Sequence, residues 1–184
     1  MLYKQRYNYT KIILVRNLLY FLAGLFLFSC NSILPIKEEY KELACPAVFF
    51  SSEHRNFLDS EENVINLDNL SIRANINNFS FNVACRVQNN VYFYPLDILI
   101  ILEPLLANQP NIELPIYATL LDQANNLIEN QYFSFPASLN QDPETNDLLA
   151  TQVIKRLNIA INNDKVSSII IGFMLDNEKK ELLN

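Results

Sequence analysis

Apolar residues recur at every second position in several stretches of this chain, and this alternation restricts the fold more than any other feature. Ile72, Ala74 and Ile76 alternate with polar residues, and residues 114–121 and 153–162 repeat the pattern. A period of two is typical of a β-strand with one face buried. Turns that contain asparagine or proline separate these stretches at fairly regular spacing, which favours a β-sandwich. The sequence therefore predicts an all-β, antiparallel fold.

The region around the Asn89–Asn90 pair extends this prediction. A second alternating series consists of Phe79, Phe81, Val83, Cys85 and Val87. The asparagine pair is expected to turn the chain into residues 91–107, whose central part, 96–102, is too apolar on both sides for an edge strand. Residues 52–63 are polar and are predicted to form a surface connection. The prolines between Pro95 and Pro115 fit strand starts, bulges or loops better than helix interiors.

The first 29 residues have the features of a secretory signal peptide. Basic residues precede a short apolar stretch, 18–28, and the small residue Ser29 follows it. A membrane-spanning helix needs about 20 apolar residues, and this stretch is shorter. We therefore expect residues 1–29 to be removed.

The residues at the end of this segment, Leu27 to Cys30, resemble a bacterial lipobox. The resemblance implies that Cys30 carries a diacylglyceryl group and begins the mature protein. The alternatives are an ordinary signal peptide and an uncleaved anchor. The absence of aspartate at position 31 indicates delivery to the outer membrane, with the chain facing the periplasm and attached to the membrane through its lipid.

The chain has three cysteines, and lipid on Cys30 leaves Cys45 and Cys85 as a pair. The periplasm is oxidising, so we expect a disulfide between them. The alternative is two buried thiols that pack as small apolar residues. The chain has no Cys-x-x-Cys motif and one histidine, so a zinc or thioredoxin-like site is poorly supported.

Charge and length limit the partners of the mature chain. The formal net charge is −6, and it becomes more negative when the basic signal segment is removed. Such a surface repels nucleic acid and anionic lipid headgroups. Residues 30–44 are predicted to be a tether that allows a short helix, because residues 36–44 favour helix. Residues 45–184 are predicted to form one sandwich domain.

Catalytic motifs are absent from the sequence, which contains no Gly-x-Ser-x-Gly, His-Glu-x-x-His, P-loop or dinucleotide fingerprint. His54 stands among polar residues and is expected to be a solvated loop histidine. A calcium site at Asp59, Glu61, Glu62 and Asn63 is a weaker hypothesis, because the spacing differs from that of an EF-hand. Paired carboxylates for glycoside hydrolysis remain open, since spatial separation is not visible in a sequence. We predict no enzyme, no catalytic residue, no metal and no cofactor.

The sequence Tyr92-Phe93-Tyr94 is a candidate binding site, because tyrosines are frequent anchors of protein interfaces. Alternation in a strand places Phe93 on one face and Tyr92 and Tyr94 on the other. The two tyrosines are therefore the predicted binding residues. The alternative is that all three aromatic rings pack within the sandwich or cover an edge.

Four features together resemble a group of small, uncharacterised alphaproteobacterial lipoproteins. They are the Cys45-Pro46 pair, residues 66–76, the second cysteine followed by a long apolar strand, and a hairpin over residues 116–135. The resemblance implies an immunoglobulin-like sandwich at the outer membrane with no known activity.

Two hypotheses for function follow. The first is a membrane-tethered periplasmic lipoprotein that acts as a structural or protein-binding module of the cell envelope, with other envelope proteins as partners. The second is a periplasmic small-ligand carrier or hydrolase, which requires a concave pocket with convergent polar groups.

Overall fold

The structure of the protein, a computed structural model, describes residues 40–60, 68–106, 110–176 and 183. The chain divides into two compact units, Met1–Glu38 and Glu39–Asn184, and all described residues belong to the second. Within the described ranges, no helix is long and apolar enough to cross a membrane. The strands are β1 (Lys41–Glu42), β2 (Ala47–Phe50), β3 (Asn56–Ser60), β4 (Leu70–Ser80), β5 (Arg86–Gln88), β6 (Val91–Pro104), β7 (Asn111–Leu121), β8 (Leu127–Ser138), β9 (Asn140–Gln141), β10 (Leu148–Leu149), β11 (Thr151–Ile161) and β12 (Ser168–Phe173).

The long strand β6 is the centre of the first sheet, sheet A. Along one edge it pairs with β11 over residues 92–102. Along its other edge it pairs first with β5 and then with β4, and both pairings are antiparallel. The outer neighbours are β3, which pairs with β4, and β1, which pairs with β5. Because β6 has partners on both edges, its apolar central part is interior to the sheet, as the sequence predicts.

The second sheet, sheet B, has the order β2-β12-β7-β8. β7 and β8 form the predicted hairpin, and β12 pairs antiparallel with β7. The short strand β2 joins the free edge of β12 in parallel. A small separate ribbon consists of β9 and β10. The chain thus passes repeatedly between the two sheets, which is typical of a β-sandwich.

The core lies between the inner faces of the two sheets. Sheet A contributes alternate residues of β4, β6 and β11, and sheet B contributes alternate residues of β7 and β12. Each fully buried Leu, Ile or Phe side chain stabilises the fold by about 1.5–3 kcal/mol relative to an exposed one. The largest fully buried side chains include Ile72, Ile76, Leu96, Ile98, Ile100, Leu102, Leu114, Ile116, Leu120, Leu157 and Phe173. The all-β, antiparallel, sandwich-like fold is therefore confirmed.

The prediction of a surface connection over residues 52–63 is wrong for its middle part. Residues 56–60 form β3, an edge strand of sheet A, and Phe57 and Leu58 are buried. Two adjacent apolar residues give no periodic pattern, so local sequence does not indicate this strand. It forms because β4 offers a free edge to pair with.

The alternating series that begins at Phe79 is interrupted in the structure. β4 ends at Ser80, and Val83 lies exposed outside any strand. The pairing of β4 with β6 shifts register between Ile76 and Asn78, which is a β-bulge. Residues 81–85 then leave the sheet edge, and we call this segment the strap.

The turn predicted at Asn89 and Asn90 is confirmed. Both residues have positive φ, 52° and 62°, and the flanking residues Gln88 and Val91 are paired. A two-residue hairpin turn with positive φ at both central positions favours asparagine. This turn brings β5 back along the start of β6.

Pro115 lies inside β7, and Pro95 is a second exception to the expectation that the prolines occupy strand starts, bulges or loops. Pro95 lies in the middle of β6, opposite Asn158 of β11. On the other edge of β6, the pairing with β5 stops at Phe93 and the pairing with β4 starts at Asp97. On that edge, Pro95 therefore lies between the β5 ladder and the β4 ladder, where the described residues form no pairing.

The structure describes only the last residues of the predicted tether, 40–44. The residues Lys41 and Glu42 form β1, paired with Val87 and Arg86, so residues 40–44 contain no helix. The strand partner overrides a weak local helix preference. Residues 1–29 and 30–39, which include the predicted signal peptide, lie outside the described residues.

Candidate functional site

A disulfide joins Cys45 and Cys85, the two cysteines predicted to pair. Their Cα atoms are 5.3 Å apart, and Cys85 is buried. The Leu43 amide also donates a hydrogen bond to the Cys85 carbonyl, at 2.9 Å. The end of the strap is therefore held to the beginning of the sandwich by one covalent bond and one hydrogen bond.

Under the strap lies a buried carboxylate that sequence inspection missed. Asp97 is on the outer face of β6, and the Arg156 guanidinium of β11 donates to its two oxygens at 2.6 and 2.7 Å. Asn82 of the strap donates a third hydrogen bond at 2.8 Å. Only 6% of the Asp97 side chain is exposed, against 46% of Arg156. The sequence offers one signal for this buried site: Asp97 is the single charged residue within the apolar stretch 91–102.

These contacts hold the Asp97 carboxylate in its charged form. The hydrogen bond from Arg156 is the main cause that keeps the pKa of Asp97 below its usual value; burial opposes it, and the Asn82 amide adds to it. A carboxylate that accepts three hydrogen bonds has little capacity left for a ligand. Asp97 therefore holds the strap and Arg156 in place.

The rest of the outer face of sheet A carries charges of both signs. Arg73 forms an ion pair with Glu103, and the Arg86 guanidinium lies 5.3 Å above the Phe93 ring. A groove of about 180 Å³ runs beside Ile154, whose side chain is 68% exposed. This face combines one apolar groove with several ionised side chains.

The outer face of sheet B has a different composition. We call it the tyrosine face; its main residues are Phe49, His54, Tyr117, Thr119, Asn130, Tyr132 and Ile170. Tyr132 is 65% exposed and Phe49 is 57% exposed. The four strands present one ionised side chain to this face, Glu113, which accepts a hydrogen bond from Ser134.

Tyr117 lies flat across its neighbouring strand because position 172 is a glycine. A Cβ atom at Gly172 would be 2.7 Å from the Tyr117 hydroxyl oxygen and 2.8 Å from the His54 Cβ. The tyrosine hydroxyl reaches His54 Nδ1 at 3.0 Å, and the two rings meet edge to face. The predicted solvated loop histidine is therefore half-buried and hydrogen-bonded. Together these contacts fix the Tyr117 ring against Gly172 on the tyrosine face.

A third surface feature lies where the edges of the two sheets meet. The Gln131 amide of β8 donates to the Ala160 carbonyl of β11 at 3.0 Å, and the Lys155 ammonium donates to the Pro136 carbonyl. At one end this seam widens into an open depression of about 540 Å³, lined by Val91, Ile128, Glu129, Ala160, Ile161, Asn162 and Asn163. Its lining is mostly polar backbone and amide groups with one carboxylate.

The structure places the predicted binding residues Tyr92 and Tyr94 towards the interior. Tyr94 is 2% exposed, and Tyr92 is half-buried and packs against the core. Burial raises the pKa of Tyr94, and the nearby Tyr92 and Asp164 add to this effect. Both side chains thus occupy the positions that the alternative interpretation, packing within the sandwich, gives them.

The other predicted sites fall partly outside the described residues. Cys30 lies outside them, as do Glu61, Glu62 and Asn63 of the calcium hypothesis, while Asp59 is in β3. In the part of the chain that the structure describes, no three His, Cys, Asp or Glu side chains come together as a metal site. The structure therefore brings none of these carboxylates into a described ligand set.

No protein-family model, curated protein or solved structure matches this chain. The function must therefore be inferred from its own residues. Among the surfaces described above, the tyrosine face differs most from the acidic composition of the chain as a whole.

Proposed function

We propose that this chain is a lipid-anchored periplasmic protein that acts as a protein-binding module of the cell envelope, attached to the outer membrane through Cys30. The order of basic, apolar and small residues before Cys30 supports export and lipid attachment. The Cys45–Cys85 disulfide fits an oxidising compartment. Partners are other envelope proteins.

The observation that carries this proposal is the tyrosine face. The core of a protein interface is depleted of charge and enriched in tyrosine and phenylalanine. In a chain with 20 acidic and 14 basic residues, four neighbouring strands present one charged side chain to this face and keep Tyr132 and Phe49 exposed. Exposed apolar groups gathered on one face are typical of interaction surfaces.

The proposed class of sandwich is immunoglobulin-like. Two packed, mainly antiparallel sheets within one domain support it. The strand orders here, β1-β5-β6-β4-β3 and β2-β12-β7-β8, differ from the ABED and CFG sheets of an immunoglobulin domain. The proposal is therefore of an immunoglobulin-like architecture with its own strand order.

Membrane attachment is tested with the full chain and its Cys30→Ser variant. We expect the parent chain in the membrane fraction with an N-terminus that begins at Cys30 and carries acyl groups, and the variant without acyl groups and released from that fraction. Mass spectrometry of the N-terminus and fractionation measure this. An unmodified mass with an unchanged membrane fraction would contradict the proposed anchor.

A periplasmic ligand carrier or hydrolase is the second candidate, because of the depression at the seam. A volume of about 540 Å³ suits a small molecule, and Glu129 and Asn163 offer polar contacts. Glycoside hydrolysis needs two carboxylates, and the lining contains one. Native mass spectrometry of the chain purified from its own envelope tests this candidate: a co-purified small molecule lost on Asn163→Leu substitution would favour it over the protein-binding module.

A further inference from the structure

The low charge of the tyrosine face matters most for contact between two copies of this chain. Each copy has a net negative charge, so most approaches bring like charges together. The outer face of sheet A presents Arg73, Glu103 and Arg156. The strands of the tyrosine face present one carboxylate, Glu113, and its oxygen is occupied by Ser134. Contact between two copies through this face therefore removes fewer ionised side chains from water than contact through the outer face of sheet A would.

The shape of the tyrosine face also suits a flat partner. Tyr117 lies against Gly172 and is held there by its hydrogen bond to His54. Thr119 and Asn130 are joined across the strands at 2.6 Å. Side chains that are fixed before binding lose little conformational entropy when a partner covers them. A second sheet of the same composition is such a flat partner, since sheets pack face to face.

We infer that the partner of the tyrosine face is a second copy of this chain, bound through the same face in a symmetric dimer. In such a dimer the same patch is used by both subunits. Tyr132 and Phe49, at opposite edges of the face, are the exposed anchors. The inference rests on the proposed function, because it names the protein that this binding surface takes.

The area of the face predicts a weak dimer. β7 has 11 residues and is therefore about 36 Å long, and four strands are about 19 Å wide. Because β2 and β12 are shorter, the face covers roughly 500 Å², and two copies bury about 1,000 Å², near the lower limit of specific interfaces. Anchoring both copies in one membrane raises their effective concentration, which compensates for a weak contact.

The inference is tested by photo-crosslinking in intact envelopes. Two copies of the full chain with different epitope tags are co-expressed, each carrying the substitution Tyr132→p-benzoylphenylalanine. The matched control carries Ile154→p-benzoylphenylalanine, at a similarly exposed position of the opposite sheet. We expect crosslinks between the two tags from position 132 and at least tenfold fewer from position 154.

A pair of charge substitutions provides a second measurement. Tyr132→Glu places a carboxylate on the tyrosine face of both copies, and Ile154→Glu does the same on sheet A. Both positions are exposed, so both variants are expected to keep the thermal unfolding midpoint of the parent chain. We expect co-purification of the two tags to fall at least tenfold with Tyr132→Glu and to stay unchanged with Ile154→Glu.

The outcomes separate this inference from the proposed function. Crosslinks from position 132 exclusively to a different protein would overturn the dimer and leave a protein-binding module. Self-crosslinks of equal yield from positions 132 and 154 would indicate random collisions and would also overturn the dimer. No crosslinks to any protein from either position would overturn both.

Discussion

Replacing both Cys45 and Cys85 by alanine is expected to lower the stability of the sandwich substantially. The disulfide closes a loop between residues 40 positions apart in sequence, which includes β2, β3 and β4. Without this bond the unfolded chain gains conformational freedom, whereas the folded state keeps its strands. The double substitution therefore acts mainly on the unfolded state.

The size of the effect follows from the length of the loop. For a separation of 40 residues, the chain-entropy model gives about 4 kcal/mol. For a domain of this size, each kcal/mol shifts the thermal midpoint by roughly 4 °C, so the expected loss is about 15 °C. The variant should also have a larger denaturant m-value, because its unfolded state exposes more surface.

The assay is urea unfolding of the parent chain, of the alanine pair, and of the parent chain in dithiothreitol. Reduction keeps both sulfur atoms but removes the bond, so agreement between the last two assigns the loss to loop closure. Val83→Ala, in the exposed part of the strap, is the control and should change stability by less than about 0.5 kcal/mol. A loss below about 1 kcal/mol in both disulfide-free samples would refute the reasoning.

Substitutions at three further positions test other contacts. Because Arg156 keeps the pKa of Asp97 low, the Asp97 charge stabilises the fold above the ordinary Asp range near about pH 4, and this contribution is lost as pH falls through the folded pKa. Asp97→Asn should therefore be less stable than the parent at neutral pH and approach it in acid; parallel stability-versus-pH curves would count against this. Gly172→Ala should cost about 1–3 kcal/mol in denaturant unfolding, because its Cβ would meet Tyr117 and His54 closely, and an unchanged midpoint would disprove the close packing. Asn90 has a φ of 62°, so Asn90→Ala should lose about 1 kcal/mol while Asn90→Gly does not, and equal thermal midpoints for the two variants would contradict the turn argument.

Local sequence determined the alternating strands of this protein. The alternation at Ile72, Ala74 and Ile76 directly encodes which face of β4 is buried, because successive side chains of a strand point to opposite sides. The Asn89–Asn90 turn and the pairing of Cys45 with Cys85 are also local or compositional features. Each depends on neighbours in sequence or on a count of residues, so none requires knowledge of the tertiary fold.

Contacts between distant segments decided what the sequence left open. β3 exists because β4 offers an edge, and Pro95 fits a central strand because β5 and β4 divide the edge beside it. The strap covers Asp97. The guanidinium that pairs with the Asp97 carboxylate belongs to Arg156, 59 positions further along the chain.

The tyrosine face likewise gathers residues from widely separated strands. His54 and Tyr117 are 63 positions apart in sequence and meet over Gly172. Inner-face residues share one chemical requirement, burial, so a period of two reveals them. Outward-facing residues share none, and their neighbours are set by strand order and register, which form only when the sheets assemble.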